Sequence, residues 1–252
     1  MTPDLNLSDS TQAYIRARFK KLSKKETTVS LILDEVHSDK SIQLSNGNIY
    51  GLHNGAITAS ILTVMIKSLA GRYEDVICMS PIDTINAEKI EKVWRSCLTV
   101  LKDIGFDVRL TVADGLDANA KFYKNISKDI APKSKILNPA SPPDFIALAH
   151  DTTHLFKNIY NNLCNYGTFV CPSFTEKDVQ YTAKFSHVCE LYELELNKPI
   201  KLAHKLNHKV LSPSSLEKTN VKLADSFFHE STINALEYYA KNAGHPDFAN
   251  TA

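Results

Sequence analysis

The stretch that most constrains the fold is residues 29–114, where apolar, β-rich runs stand on both sides of one long amphipathic helix. In that helix, read over 85–104, Ile90, Val93, Trp94, Cys97, Leu98 and Leu101 recur at the helical period. Gly105 follows as its C-terminal cap. The run Val29-Ser-Leu-Ile-Leu-Asp-Glu-Val36 reads as a strand, and 41–52 as a hairpin turning at Asn46-Gly47. Residues 61–69 read as a third strand and 75–79 as a short extended piece. After the helix, 106–115 alternates in polarity and ends in Asp-Gly, as a strand entering a turn does. Strands that feed a helix and return from it define an α/β domain.

The rest of the chain changes character. Residues 126–144 are rich in proline and lysine and read as a long loop. A short buried strand over 145–151 leads into a helix over 152–163. From 164 the sequence reads as helical, over 178–196, 199–208, 214–228 and 230–242, punctuated by Pro199, Pro213 and Pro246. At the other end, Tyr14, Ile15, Phe19 and Leu22 form an apolar stripe beside a basic face. That segment reads as a solvated linker helix, with a DNA-contacting arm as the other reading. The expected organisation is therefore a linker helix over 1–28, a mixed-sheet domain over 29–163 and a mostly α-helical unit over 164–252.

Composition removes several classes. With 43% hydrophobic residues in 252, the chain has ample material for a core and is not disordered. Its 29 Lys and Arg against 28 Asp and Glu exclude a uniformly basic nucleic-acid coat, though not a local basic patch. The best apolar stretch, 56–70, is cut by Lys67 and falls short of the roughly 18 residues a membrane span needs. The polar, acidic start is not a signal peptide. Five scattered cysteines point to reduced thiols rather than a disulfide framework.

Two aspartates carry the chemical argument. Asp34 interrupts an apolar strand, and Asp114 ends another after Leu110-Thr-Val-Ala113. A carboxylate in such a position is costly to bury unless it is paired or binds a cation. On adjacent strands the two would share one rim and suit one or two Mg²⁺ ions in phosphodiester chemistry. Either aspartate alone also fits a plain strand-end turn. Glu35, Asp39, Asp83 and Asp117 are competitors. Glu35 faces away from Asp34 by the period of a strand, and Asp117 reads as a helix-start charge. Asp151-Thr-Thr-His154 sits where a strand becomes a helix, either as a cap or as a brace for the rim. Cys164, Cys171, His187 and Cys189 match no common zinc spacing. No P-loop, dinucleotide fingerprint or Gly-x-Ser-x-Gly is present.

Taken in order, Leu31-Ile-Leu-Asp-Glu-Val36, the hairpin with Gly51, Thr111-Val-Ala-Asp-Gly-Leu-Asp-Ala-Asn119 and the segment from Asp151 to Asn162 resemble the P-element type DNA transposases, relatives of the THAP-domain transposases. His204-Lys-Leu-Asn-His208 and 215–228 resemble the start of that family's helical insertion domain. The resemblance implies an RNase H-like catalytic domain interrupted by a GTP-binding insertion, with metal-dependent DNA cleavage and strand transfer. Under it, Asp34 and Asp114 are the first two catalytic, Mg²⁺- or Mn²⁺-binding acids, and Asp151 and His154 form a supporting rim motif. It also implies transposon-end and target DNA as partners, GTP as a further ligand, a homo-oligomer when complete, no membrane, and the nucleus as compartment (or the cytoplasm for an isolated fragment). The family's third acid, a glutamate, is expected beyond residue 252, with the chain ending inside the insertion. Glu190, Glu193, Glu195, Glu230 and Glu237 read as helix-surface charges. A chain so placed is expected to be weakly active or inactive alone. The alternative is a catalytically dead, domesticated transposase acting as a DNA- or protein-binding module.

Overall fold

The structure, a computed structural model, describes residues 8–37, 41–45, 48–53, 55–58, 60–82, 84–127, 134–171 and 180–252. Helix α1 (Asp9–Phe19) starts where the Ser8 hydroxyl accepts the Thr11 amide at 3.2 Å. It is not a solvated linker. Ile15 is fully buried in the sheet unit's core and Phe19 meets Phe106 edge-on at 5.2 Å. On the exposed side Arg18 holds Asp75 at 3.0 Å. The apolar stripe, rather than the lysines, decides where this helix goes, because only the stripe gains by leaving water.

Strand β1 (Thr28–His37) runs next. Two short ribbons follow, β2 (Gln43–Ser45) with β3 (Asn48–Tyr50), and β4 (Leu52–His53) with β5 (Ala56–Ile57). Ser45 pairs with Asn48, as a hairpin requires, while Asn46-Gly47 itself lies outside the described residues. Strands β6 (Ser60–Ser68) and β7 (Glu74–Ile82) extend the sheet antiparallel from β1.

Helix α2 (Ala87–Ile104) begins at Asn86, whose side chain accepts the Lys89 amide, and ends at Gly105 with φ 114°. Its apolar stripe is buried throughout, and the Trp94 indole donates to the Thr111 hydroxyl at 3.0 Å inside the core. The chain returns through β8 (Asp107–Ala113), parallel to β1, then α3 (Asp117–Ile126). Strand β9 (Lys135–Leu137) lies in the segment read as loop and pairs antiparallel with β10 (Phe145–His150), which is parallel to β8. The order β7-β6-β1-β8-β10-β9 gives a six-stranded mixed sheet, with α1, α2 and α3 sharing its core.

The chain divides into two compact units between Asp151 and Thr152, ahead of the boundary at 163/164 read from the sequence. Helix α4 (Thr152–Tyr166) belongs to the second unit because Tyr160 and Leu163 enter that unit's core. The Tyr160 hydroxyl donates to the Val210 carbonyl at 2.7 Å.

The second unit is not all helical. Strands β11 (Thr168–Cys171) and β12 (Tyr181–Lys184) form an antiparallel pair, so the helix expected over 178–196 begins only at α5 (Phe185–Glu195). The helix expected over 199–208 is absent. In its place the buried Glu195 carboxylate accepts the Leu202 and Ala203 amides at 3.1 and 2.9 Å and pins an irregular segment. After α6 (His208–Leu211), the expected 214–228 helix is split into a 3₁₀ turn (Glu217–Thr219) and α7 (Val221–Phe227). The Asn220 side chain makes the break by accepting the Lys222 amide as a cap. Helix α8 (Glu230–Asn242) and a 3₁₀ turn (Pro246–Asn250) complete the unit. No helix among the described residues is long and apolar enough to cross a membrane.

Candidate active site

The parallel ladder between β1 and β8 closes at Leu33 and Ala113. The next residues are Asp34, still within β1 and paired with Thr63 of β6, and Asp114, just past the end of β8, so the two stand side by side where the parallel ladder stops. Neighbouring strands lie about 4.8 Å apart, so the two backbones start from one short stretch of rim. Crevices at the C-terminal ends of parallel strands are where sheets of this kind place their ligands. Leu33 and Ala113 point into the core at 1% exposure each, and alternation therefore turns Asp34 to the other face. Asp34 is exposed, and its Oδ1 accepts the Glu35 amide at 2.9 Å.

Asp114 is more tightly held. Its Oδ1 accepts the Leu116 amide at 2.9 Å and the Asn119 side-chain amide at 2.7 Å. Its carbonyl lies 3.2 Å from His150 Nδ1. Beneath it, the Tyr123 hydroxyl donates to the Thr111 and Ala149 carbonyls at 3.1 and 2.9 Å, tying β8 to β10. Burial pushes the Tyr123 phenol well above its ordinary pKa, which keeps it a donor. Asn119, Tyr123 and His150 carry no warning in the sequence. Each resembles an ordinary helix or strand residue until the turn after β8 brings Asn119 and Tyr123 back to Asp114 and the β8–β10 pairing brings His150 beside it.

Asp151 continues the row. His150 pairs with Ala113, and the Asp151 amide donates to the Ala113 carbonyl at 2.8 Å. Asp114 and Asp151 thus directly follow β8 and β10, and Asp34 lies in β1 just past its ladder with β8. His154 stands one turn into α4, in the second unit.

The competing acids separate. Glu35 turns to the opposite face from Asp34, only 11% exposed and 3.7 Å from His37. Asp117 occupies the first turn of α3. Asp39 and Asp83 lie outside the described residues. In the second unit Glu190 pairs with His245 and Glu237 with Lys241, while Glu195 is buried in its amide clamp. The five cysteines are free thiols. Among the described residues, no three or more His, Cys, Asp and Glu side chains gather at metal-binding spacing.

The two rim carboxylates are a hard oxygen donor set of the kind Mg²⁺ takes, since that ion is held by one or two carboxylates and keeps several waters. The hydrogen bonds on Asp114 leave it oriented before any ligand arrives.

The second unit has its own cavity, of about 530 Å³, between the start of α4 and the α7–α8 corner. Thr152, Phe156, Asp225, Phe228 and His229 line it, and the Phe156 and Phe228 rings meet edge-on at 5.7 Å.

Comparison with known proteins agrees with this two-part architecture. Residues 6–127 match the family model described as TNP-like, RNase H N-terminal domain. Residues 153–252 match the model described as TNP-like, GTP-binding insertion domain. A Drosophila P element transposase, solved as a strand transfer complex, superposes with a TM-score of 0.75 at 16% sequence identity. The superposition covers 94% of this chain and 50% of that one, so the chain spans about half the length of that relative. No match is found among curated proteins. The sheet is thus RNase H-like, and the unit that follows it is of the insertion-domain type. The chain belongs to the TNP-like family, both of whose domain models match it.

Proposed function

We propose that this chain carries the first part of a DNA-cleaving and strand-transfer centre, with Asp34 and Asp114 holding a divalent cation. The observation that carries the reading is the end of the β1–β8 ladder at Leu33 and Ala113, which makes the two aspartates neighbours on one rim. A Mg²⁺ or Mn²⁺ ion there supplies charge stabilisation for phosphodiester cleavage and for attack by a 3′-hydroxyl. The chain's own part is to bind and orient. Asp114 is fixed by Leu116 and Asn119, Asp34 stays open to solvent, and Tyr123 locks the strand ends beneath them. The DNA partner is supported by the neighbouring structure, a strand transfer complex, and a DNA substrate goes with the nucleus as the proposed compartment.

The test is a plasmid-nicking assay with Mn²⁺. We expect weak nicking that is lost in Asp34→Asn and Asp114→Asn and kept in Glu35→Gln. Nicking that survives either aspartate substitution overturns the assignment. Asp151 continues the row, yet no three or more His, Cys, Asp and Glu side chains cluster among the described residues, which supports a second reading, a binding module without cleavage. Duplex binding with no cation-dependent nicking in the unsubstituted chain would establish that reading instead.

The cavity of the second unit is the proposed guanine-nucleotide site, supported by the family model that covers it. Its volume suits a small-molecule ligand. Phe156 and Phe228 offer apolar faces to a base, and the Asp225 carboxylate is an acceptor for the guanine N1 and N2 hydrogens. A fluorescent GTP analogue should bind, and Asp225→Ala should abolish the preference for GTP over ATP. Equal discrimination in the variant would remove Asp225 from the site.

A further inference from the structure

We infer that Asn119 is the positioning residue of the rim, fixing the Asp114 carboxylate in the orientation that receives the cation. This rests on the cation reading of Asp34 and Asp114 and deepens it. Asn119 lies in the first turn of α3, five residues after Asp114, and is only 3% exposed. Its Nδ2 donates to Asp114 Oδ1 at 2.7 Å, shorter than the 2.9 Å bond from the Leu116 amide to the same oxygen.

The helix start does not account for such a side chain. The N-cap position is Leu116, which makes no side-chain cap, and Asn119 bonds back to the strand end rather than to a helix amide. A buried amide in a helix is costly unless both of its ends are used. Here one end is used. Asn119 Oδ1 is buried with no hydrogen-bond partner among the described residues. The same side chain therefore holds one carboxylate oxygen and keeps an acceptor in reserve, which a water on a bound cation can satisfy. Groups that orient a metal-binding carboxylate in this way typically change metal affinity by about 10–100-fold when removed.

The test uses the full chain, labelled with ¹⁵N, and Mn²⁺ as the probe. Paramagnetic broadening should appear first at the amides around Asp34 and Asp114. Asn119→Leu keeps the side chain's size and removes the amide. It should need about tenfold more Mn²⁺ for the same broadening. Asn119→Gln, which retains the donor, should recover part of the loss. Thermal melting separates this role from a structural one, because a residue that only supports the fold lowers Tm and leaves the Mn²⁺ dependence of the folded chain unchanged. If Asn119→Leu does not fold, Asn119→Ser carries the same comparison. A folded variant within twofold of the unsubstituted chain overturns the positioning role and leaves the rim reading intact. Absence of rim broadening in the unsubstituted chain overturns both.

Discussion

Gly105 ends α2 at φ 114°, and a Cβ placed there would come within 2.6 Å of the Phe19 ring. Two demands meet at one residue, a left-handed backbone and room for an aromatic ring from α1. Gly105→Ala should therefore destabilise the sheet unit by about 1–3 kcal/mol from backbone strain alone, read as a lower midpoint in urea. A change under a few tenths would mean that Phe19 moves aside and the backbone tolerates the strain. The strand positions of the two aspartates were legible at this scale, because a charge that breaks an apolar run shows directly in the sequence. Asn119, Tyr123 and His150 were not legible, because they reach Asp114 only through the turn after β8 and through the pairing of β10 with β8.

Among the elements, α2 could be read almost to its ends, since a long buried stripe and two caps all agree. Its packing makes a sharp prediction. Trp94→Phe leaves the buried Thr111 hydroxyl without the indole donor, which should cost about 1–3 kcal/mol. A thermal or urea midpoint equal to that of the unsubstituted chain would show that the bond contributes nothing net. The short strands escaped reading. In β9 only Ile136 is buried, and β11 and β12 have four residues each, too few for a period to emerge. The segment at 199–208 escaped for another reason. Its conformation depends on Glu195, a carboxylate from the preceding helix, and a long-range bond of that kind leaves no local pattern.

Helix α5 also carries a pH dependence. His187 stacks near Phe248 at 5.3 Å, its Nδ1 lies 2.8 Å from the Thr251 hydroxyl, and burial lowers its pKa from the ordinary 6.5. The unfolded chain therefore takes up the proton more readily than the folded one. The stability tied to neutral His187 is fully present above about pH 6.5 and falls away as the pH drops through its lowered folded-state value. The second unit should melt at lower temperature in mild acid, and His187→Gln should flatten that dependence. An equal acid sensitivity in the variant would assign the effect to other groups.

For the whole molecule, two compact units correspond to the two family models, and the chain spans half the length of its structural neighbour. A net charge of +1 neither favours nor opposes the proposed DNA partner, because overall charge reports an average and the proposal concerns a single rim. The succession of the main strands around α2 and the strand positions of the aspartates were visible in the sequence. The unit boundary was less so, since α4 follows β10 without a break and only Tyr160 and Leu163 show which core it joins.

The central claim is that Asp34 and Asp114 jointly hold a divalent cation. Anomalous diffraction from a Mn²⁺-soaked crystal tests it most directly. The account predicts a manganese peak touching a carboxylate oxygen of each residue, at about 2.0–2.3 Å, and its loss in Asp114→Asn. Manganese bound elsewhere, with none between these two carboxylates, would contradict it.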